Sequence, residues 1–480
     1  MAVSKSNIAA GSVVQIEMPT AYVPYADSSH LKCSSYAYTD IETSMLSAAS
    51  RSTGGKFRGY AIILAARVIT SSRANAATDE SVKALCRNPS LRSQSIPSPH
   101  IASAQIVQRL LSCSPLTCNV ELKDCLAVLE KLESNAFTIS DYDLSSISGI
   151  GLYALAAAIN HSCNPNCCQT FDLSTSAALS IRALRNIEKG EEITIAYIDV
   201  GKPTWWRRKE LQKAYGFLCS CNRCHSSSSD GYNCLTTGCT GIARIDECDL
   251  FHSWKSFSGQ QNQSNSITKA KIDTIEHSDI EISFPYGDIL EEKNSFNSFS
   301  GDTSEKFHVK KRKIKFKCDS CSASICSSII TKKISCLNSR LIGITRIREH
   351  KVNLSHRKQF LEMLLQLVRP TDSSVIDFYR NYLLDDLLLE NNFEVYLQVV
   401  RESQYLEHLN NRYPWGHPFP AIQQAVYAKC LLQSCQSGSD FDKAVGMLNQ
   451  SISTLIISHG HNATIVLELL NVSRRAVKCN

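Results

Sequence analysis

The chain has 480 residues, 43% hydrophobic and 20% charged, an ordinary globular composition with length for about two or three hydrophobic cores. Its 51 Lys+Arg against 45 Asp+Glu leave a net charge of +6, too mild to imply nucleic-acid binding by itself. No apolar leader occupies residues 1–19, and the longest greasy run, Tyr60 to Thr70, is interrupted by Arg67 and falls far short of a membrane span. The 21 cysteines, an odd number, then point to metal ligands and reduced thiols in the cytoplasm or nucleus rather than to a disulfide framework.

In chain order, Ala10-Gly11-Ser12 reads as a turn before an alternating, strand-like run through Glu17. Residues 28–59 are rich in Ser, Ala and Thr with Gly54-Gly55, and read as a linker in which Cys33 stands alone. Phe57 to Arg73 and Ser103 to Leu111 have helical apolar spacing. Over Val120 to Leu132 one face collects Leu122, Cys125, Leu126, Leu129 and Leu132, so that helix packs on something. Leu179 to Leu184 and Glu192 to Ile198 alternate as strands around the turn Glu188-Lys189-Gly190-Glu191, which puts Tyr197 on the face of Ile193 and Ile195. Trp206 to Tyr215 reads as a short helix leading into Tyr215-Gly216-Phe217. From about Ile334 the pattern is helical, at Phe360 to Leu367, Leu383 to Leu389, Ile422 to Leu432 and Phe441 to His459, suggesting stacked hairpins of the tetratricopeptide kind or a plain helical bundle.

Cysteine spacing carries more information. Cys219-Ser220-Cys221-Asn222-Arg223-Cys224 forces three thiols into one small volume, and Cys163, in the polar cluster Asn160-His161-Ser162-Cys163-Asn164-Pro165-Asn166, is the natural fourth ligand of a structural zinc. The competing reading is a set of buried free thiols. Cys234 and Cys239, with Cys318 and Cys321 beyond a Ser/Asn/Gln-rich insert at about 253–303, form a candidate second, ribbon-like zinc site, for which Cys248 and Cys326 compete. The run Lys310 to Lys313 reads first as a solvated turn beside the metal site, with an import or anion-binding patch as the alternative.

Five blocks in order, Asn135-Ala136-Phe137-Thr138-Ile139, Gly151-Leu152-Tyr153, Asn160 to Asn166, Gly190 to Tyr197, and Tyr215-Gly216-Phe217 with the cysteine trio, resemble the SET-domain lysine methyltransferases, and within them the SET-and-MYND (SMYD) branch. Tyr413 to Pro418 and Ser458-His459-Gly460 extend the likeness more loosely. The resemblance implies an α+β fold: a β-rich SET core of short strands with a helical insert, a zinc-bound post-SET segment and a helical, tetratricopeptide-like C-terminal domain. The divisions expected are 1–27 for the first part of the SET domain, 28–59 for the linker, 60–134 for the insert, 135–217 for the core, 218–333 for the Cys-rich region and 334–480 for the helical domain. It further implies S-adenosylmethionine bound by Asn135, Asn160, His161, Tyr197 and Phe217, Tyr197 and Tyr215 lining a lysine channel as catalytic residues, and zinc on Cys163, Cys219, Cys221 and Cys224. The partner is then a protein substrate with an exposed lysine, with further protein partners on the helical domain, no membrane, and no direct nucleic-acid ligand.

Two departures accompany the likeness. The family's Gly-x-Gly turn ahead of the first strand is missing before Ala10, and residues 19–85 lack the dense Cys set of a MYND finger, having only Cys33, with Tyr36 where a following ligand would stand. The expectations are therefore a truncated start and a lost finger, and a second reading follows, a catalytically impaired SET-like zinc protein acting as an interaction module.

Overall fold

The computed structural model describes residues 2–25, 39, 42–43, 55–87, 98–144, 146–174, 176–226, 230–245, 315–346, 354–434 and 437–479. The readings made on Cys33 and Tyr36, on Cys248, on the 253–303 insert and on Lys310 to Lys313 lie outside them. The chain divides into two compact units, the first made of Met1–Val200, Arg208–His225 and Tyr413–Asn480, the second of Gly201–Arg207 and Ser226–Arg412.

Unit one opens with β1 (Val13–Glu17) and β2 (Ala21–Pro24), followed by helices α1 (Gly55–Ala74), α2 (Ala76–Ala84), α3 (Ser98–Leu111) and α4 (Leu122–Asn135). Helix α1 buries Ile62 to Ala66, Val68 and Ile69, a segment apolar nearly all round and therefore enclosed. Its one interrupting charge, Arg67, is paired with Glu42 at 2.8 Å and donates to the Tyr22 carbonyl at 2.9 Å, which removes the cost of an unpaired buried cation. Helix α4 turns Cys125, Leu129 and Leu132 inward, the face its spacing predicts, and closes a core with α1 and α3 over β2.

The strands β3 (Ala136–Ser140), β4 (Ile147–Leu152), β5 (Asn160–His161), β6 (Cys167–Asp172), β7 (Ala178–Ala183) and β8 (Thr194–Ile195) form small sheets: β2-β4-β3, β1-β7-β6, and the parallel pair β5-β8. A second core of Tyr22, Ile139, Tyr153, Phe171, Leu179 and Ile195 fills the space among them. Residues 2–8 run antiparallel along 187–193, with bridges Val3 to Glu192 and Ile8 to Ile187. The strand expected over Glu192 to Ile198 shortens to Thr194–Ile195. Alternation reports which side chains are buried, whereas here the Tyr197 N–H leaves the ladder for the ring of His161.

Two further helices, α5 (Thr204–Tyr215) and α6 (Asn222–His225), follow β8, and six more lie in unit two, so the last three helices, which also belong to unit one, are numbered α13 to α15. They are α13 (Pro418–Ser434), α14 (Gly438–His459) and α15 (Thr464–Cys479), packed around Ile422, Leu448, Leu455 and Val466. Cys168 of β6 donates to the Ser458 carbonyl at 3.5 Å. Gly460 (φ 92°) ends α14 where an added Cβ would stand 2.6 Å from the Arg182 guanidinium of β7, so Ser458-His459-Gly460 is a contact motif for the SET strands. Residues 334–480 are thus shared between both units rather than forming one helical domain.

Unit two contains the sheet β9-β10-β11-β12 (Tyr232–Asn233, Ile242–Arg244, Lys315–Cys318, Ser324–Cys326). Its helices are α7 (Ser327–Arg346), α8 (Leu354–Leu367), α9 (Ser373–Tyr379), α10 (Asp385–Leu389), α11 (Phe393–Glu402) and α12 (Tyr405–Arg412). Phe360 of α8 stacks on Phe378 of α9 at 4.8 Å, and the buried Asp230 is paired with the buried Arg412. No described helix of either unit is long and apolar enough to cross a membrane.

Candidate methyltransferase site and its thiol cluster

Two short parallel strands set the geometry. β5 and β8 place Asn160 opposite Thr194 and His161 opposite Ile195, and Ser162 N–H donates to the Ile195 carbonyl at 3.0 Å. Asn166, 2% exposed, ties the segments around them. Its Nδ2 donates to Glu191 Oε1 at 3.0 Å and the Glu192 carbonyl at 2.8 Å, while Oδ1 accepts the Thr194 N–H at 2.8 Å. Glu191 is fixed in turn by Arg185, whose hydrogen bond holds that carboxyl down at about 2, so it is an anion throughout the neutral range.

The predicted residues gather in one neighbourhood. Tyr197 stands 5.3 Å from His161 and 4.8 Å from Tyr215, ring centre to ring centre, and Phe217 lies 6.2 Å from His161. The Tyr197 hydroxyl donates to the Ile159 carbonyl at 2.6 Å, which commits its proton and leaves the oxygen lone pairs as acceptors. Burial pushes its phenol up to about 12 and raises that of Tyr215 as well, so both rings stay neutral at physiological pH.

His161 faces two ways. Tyr197 N–H approaches its Nδ1 at 3.0 Å, and a backbone amide can only donate, so Nδ1 carries the lone pair and Nε2 the proton. That Nε2–H lies 3.3 Å from Cys163 Sγ. Asn160 is exposed and donates to Glu192 Oε1 at 2.7 Å. Asn135, the last residue of α4, spends both amide hydrogens on the carbonyls of Cys86 and Lys131, at 2.8 and 2.7 Å, so a ligand contact by that side chain falls to Oδ1.

The sulfurs of Cys163, Cys219, Cys221 and Cys224 lie within 4.8 Å of one another, able to hold a metal ion. Cys163 stands 3.9 Å from Cys219 and 3.5 Å from Cys224. Bonds from Cys163, then Cys219 and Cys224, lower the Cys221 thiol while those to Cys221 and Cys224 help to raise that of Cys219, so the cluster by itself favours a thiolate at Cys221 and a thiol at Cys219. Two arginines escaped the sequence reading. Arg208 donates to the carbonyls of Cys219 (3.3 Å) and Cys224 (3.1 Å), and Arg223 to that of Cys163 (2.9 Å). Their only sequence signal is proximity to the trio. Also unforeseen is a cavity of about 370 Å³ walled by Tyr215, Leu132 and Ile150, with His100 and Glu133, 2.5 Å apart, among its polar lining.

Comparison with known proteins agrees with this geometry. Residues 2–198 match the SET domain family model. The chain is 37% identical over 138 residues to the histone-lysine N-methyltransferase ASHR1 of Arabidopsis thaliana, covering 27% of this chain and 28% of that protein. Identity to human SMYD3, a histone-lysine N-methyltransferase, is 39% over 107 residues (22% and 24%), and to human SMYD2, an N-lysine methyltransferase, 36% over 108 residues (22% and 24%). The matched segments span about a quarter of the length of these curated relatives. The strand pair, the aromatic cluster and the four thiols thus come together in unit one, which contains the segment matched to the SET domain model and similar to the SMYD-type methyltransferases.

Proposed function

We propose that the chain transfers a methyl group from S-adenosylmethionine to the side-chain amine of a lysine in a protein substrate. The observation that carries this reading is the convergence of the His161, Tyr197, Tyr215 and Phe217 rings beside Asn160 in unit one, at the end of the segment matched to the SET domain model. Bound S-adenosylmethionine supplies an activated methyl on a sulfonium, and the reaction is an in-line displacement. Alignment and exclusion of water then do most of the work, a proximity effect of up to roughly 7–11 kcal/mol. Aromatic faces suit a sulfonium and a methylammonium equally, at about 0.5–2 kcal/mol each. Tyr197 orients the attacking amine through its oxygen, since its own proton is held by Ile159. Tyr215 narrows the channel, Phe217 and His161 hold the adenosine end, Asn160 contributes beside them, and Asn135 Oδ1 accepts from the cofactor's amino group. The cavity beside Tyr215 is the place for residues flanking the lysine.

Cys163, Cys219, Cys221 and Cys224 are assigned to zinc. A tetrahedron with Zn–S bonds of about 2.3 Å has edges of about 3.8 Å, and the two sulfur separations given above, 3.9 and 3.5 Å, bracket it. Zinc held by these four thiols would join the loop of Phe217 to that of Asn160 and His161. Thiols that are all free among the described cysteines support a reducing compartment, the cytoplasm or nucleus, as the proposed location.

Calorimetric titration of S-adenosylmethionine into the purified chain, with transfer of labelled methyl to protein substrates, tests the reading. Binding at micromolar concentration is expected, with transfer sharply reduced in Tyr197→Phe while binding persists. A folded wild type that binds no cofactor overturns it.

A further inference from the structure

A second set of four thiols meets in unit two. The sulfurs of Cys234, Cys239, Cys318 and Cys321 lie within 4.8 Å of one another, although residues 240–317 separate the two pairs in sequence. Cys234 to Cys321 is 3.5 Å and Cys239 to Cys318 is 3.7 Å, close to the tetrahedral edge of about 3.8 Å that Zn–S bonds require.

The backbone around these sulfurs is shaped for thiolates. Thr236 N–H points at Cys234 Sγ, Gly241 N–H at Cys239 Sγ and Ser320 N–H at Cys318 Sγ, each at 3.4 Å and each two residues on. This repeated turn directs amide dipoles at three sulfurs, which favours their anionic form. An added Cβ at Gly241 would stand 2.4 Å from Cys318 Sγ, so only glycine lets the two hairpins close. The competitor Cys326 is exposed and bonded to Ser328 Oγ at 3.2 Å, outside the set.

The hairpins also hold each other. Ala243 pairs with Cys318 across β10 and β11, Asp319 exchanges two bonds with the Ile242 backbone, at 2.8 and 3.0 Å, and Arg244 pairs with Asp319 at 2.8 Å. Among the described residues the four strands bury, besides the ligand Cys318, Tyr232, Ile242, Ala243, Phe316 and Ile325 as apolar core. Asn233 also ties β9 to the Leu365 and Val368 carbonyls at the end of α8, yet closing the long intervening loop onto so few buried apolar side chains is costly, and a metal is the usual staple for such a ribbon.

We propose that Cys234, Cys239, Cys318 and Cys321 bind a second structural zinc ion that clasps the β9–β12 ribbon. This site is independent of the methyltransferase reading. It is also the more labile, because Cys321 is exposed and Cys234 and Cys239 are half-buried, whereas three ligands of the first cluster are buried.

The test is metal content of the full chain purified in reducing buffer, with cobalt(II) titration of the metal-stripped protein read through its thiolate charge-transfer band. Two zinc ions per chain are expected, released by a chelator in two phases. Cys318→Ser/Cys321→Ser should carry one ion, lose the fast phase and half the cobalt band. Cys321→His, which keeps a ligand nitrogen, should restore two ions with an altered cobalt spectrum and guards against a double variant that fails to fold. One zinc per wild-type chain, or an unchanged stoichiometry in the folded double variant, overturns the proposal.

Discussion

Replacing His161 by Phe separates the two directions in which that ring acts. The aromatic packing against Tyr197 at 5.3 Å and Phe217 at 6.2 Å survives, and the two hydrogen bonds described above go. The first runs from Nε2–H to Cys163 Sγ at 3.3 Å. Loss of such a partner to a metal ligand typically weakens metal affinity about 10–100-fold, or about 1.4–2.7 kcal/mol. The second is the bond at 3.0 Å that Tyr197 N–H makes to Nδ1, and an orphaned buried amide costs about 1–3 kcal/mol. Tyr197 is only partly buried, so the lower end applies to that term. Chelator competition for zinc reads the first effect and urea denaturation of the metal-stripped chain reads the second. Both are best measured with Cys318→Ser/Cys321→Ser already present, so that one cluster reports. Asn160→Ala, whose amide goes to Glu192, serves as control and should leave metal affinity untouched. If His161→Phe binds zinc within twofold of the parent, the sulfur contact is incidental and the ring serves the cofactor alone.

Asn166→Ala strands the Thr194 N–H and unties Glu191 from the turn, so a loss of about 2–4 kcal/mol in denaturant unfolding is expected, against under 1 kcal/mol for the exposed neighbour Asn164→Ala. Stability should also fall with acid through two half-buried histidines, His417 and His459, both held near 4 chiefly by desolvation of the ring. The unfolded chain takes up these protons near pH 6.5 and the folded chain only near 4, so the stabilisation is complete above 6.5 and is lost on descent between those values. By pH 5 the loss is roughly 2 kcal/mol per histidine. His417→Asn should halve that slope in unfolding measured from pH 7 to 5, and an unchanged slope would sink the assignment.

Ligand chemistry was the most legible part of the sequence, because three cysteines within six positions have few places to go and four sulfurs around a cation have one geometry. The same logic brought Cys234 and Cys239 to Cys318 and Cys321 across a long separation. Asn166 carries no sequence signal of its role, since a short amide that staples two loops looks like any turn residue. Helical periodicity found α13 and α14 but not their neighbours, as an apolar stripe states that it will be covered and not by what. That is why Tyr413–Asn480 was grouped with the preceding helices when its contacts are to β6 and β7. Alternation over Glu192 to Ile198 likewise marked burial correctly and pairing incorrectly, because one imidazole captured the Tyr197 amide.

The return of the chain to unit one at Tyr413 has a consequence for synthesis. Domains generally fold as they leave the ribosome, earliest segment first. Here the earliest strands await the last three helices, while residues 226–412 are complete sooner. The SET strands therefore remain a partly uncovered intermediate for much of translation, and a stop codon after Arg412 would leave β6 and β7 as an exposed, aggregation-prone surface however intact their own sequence.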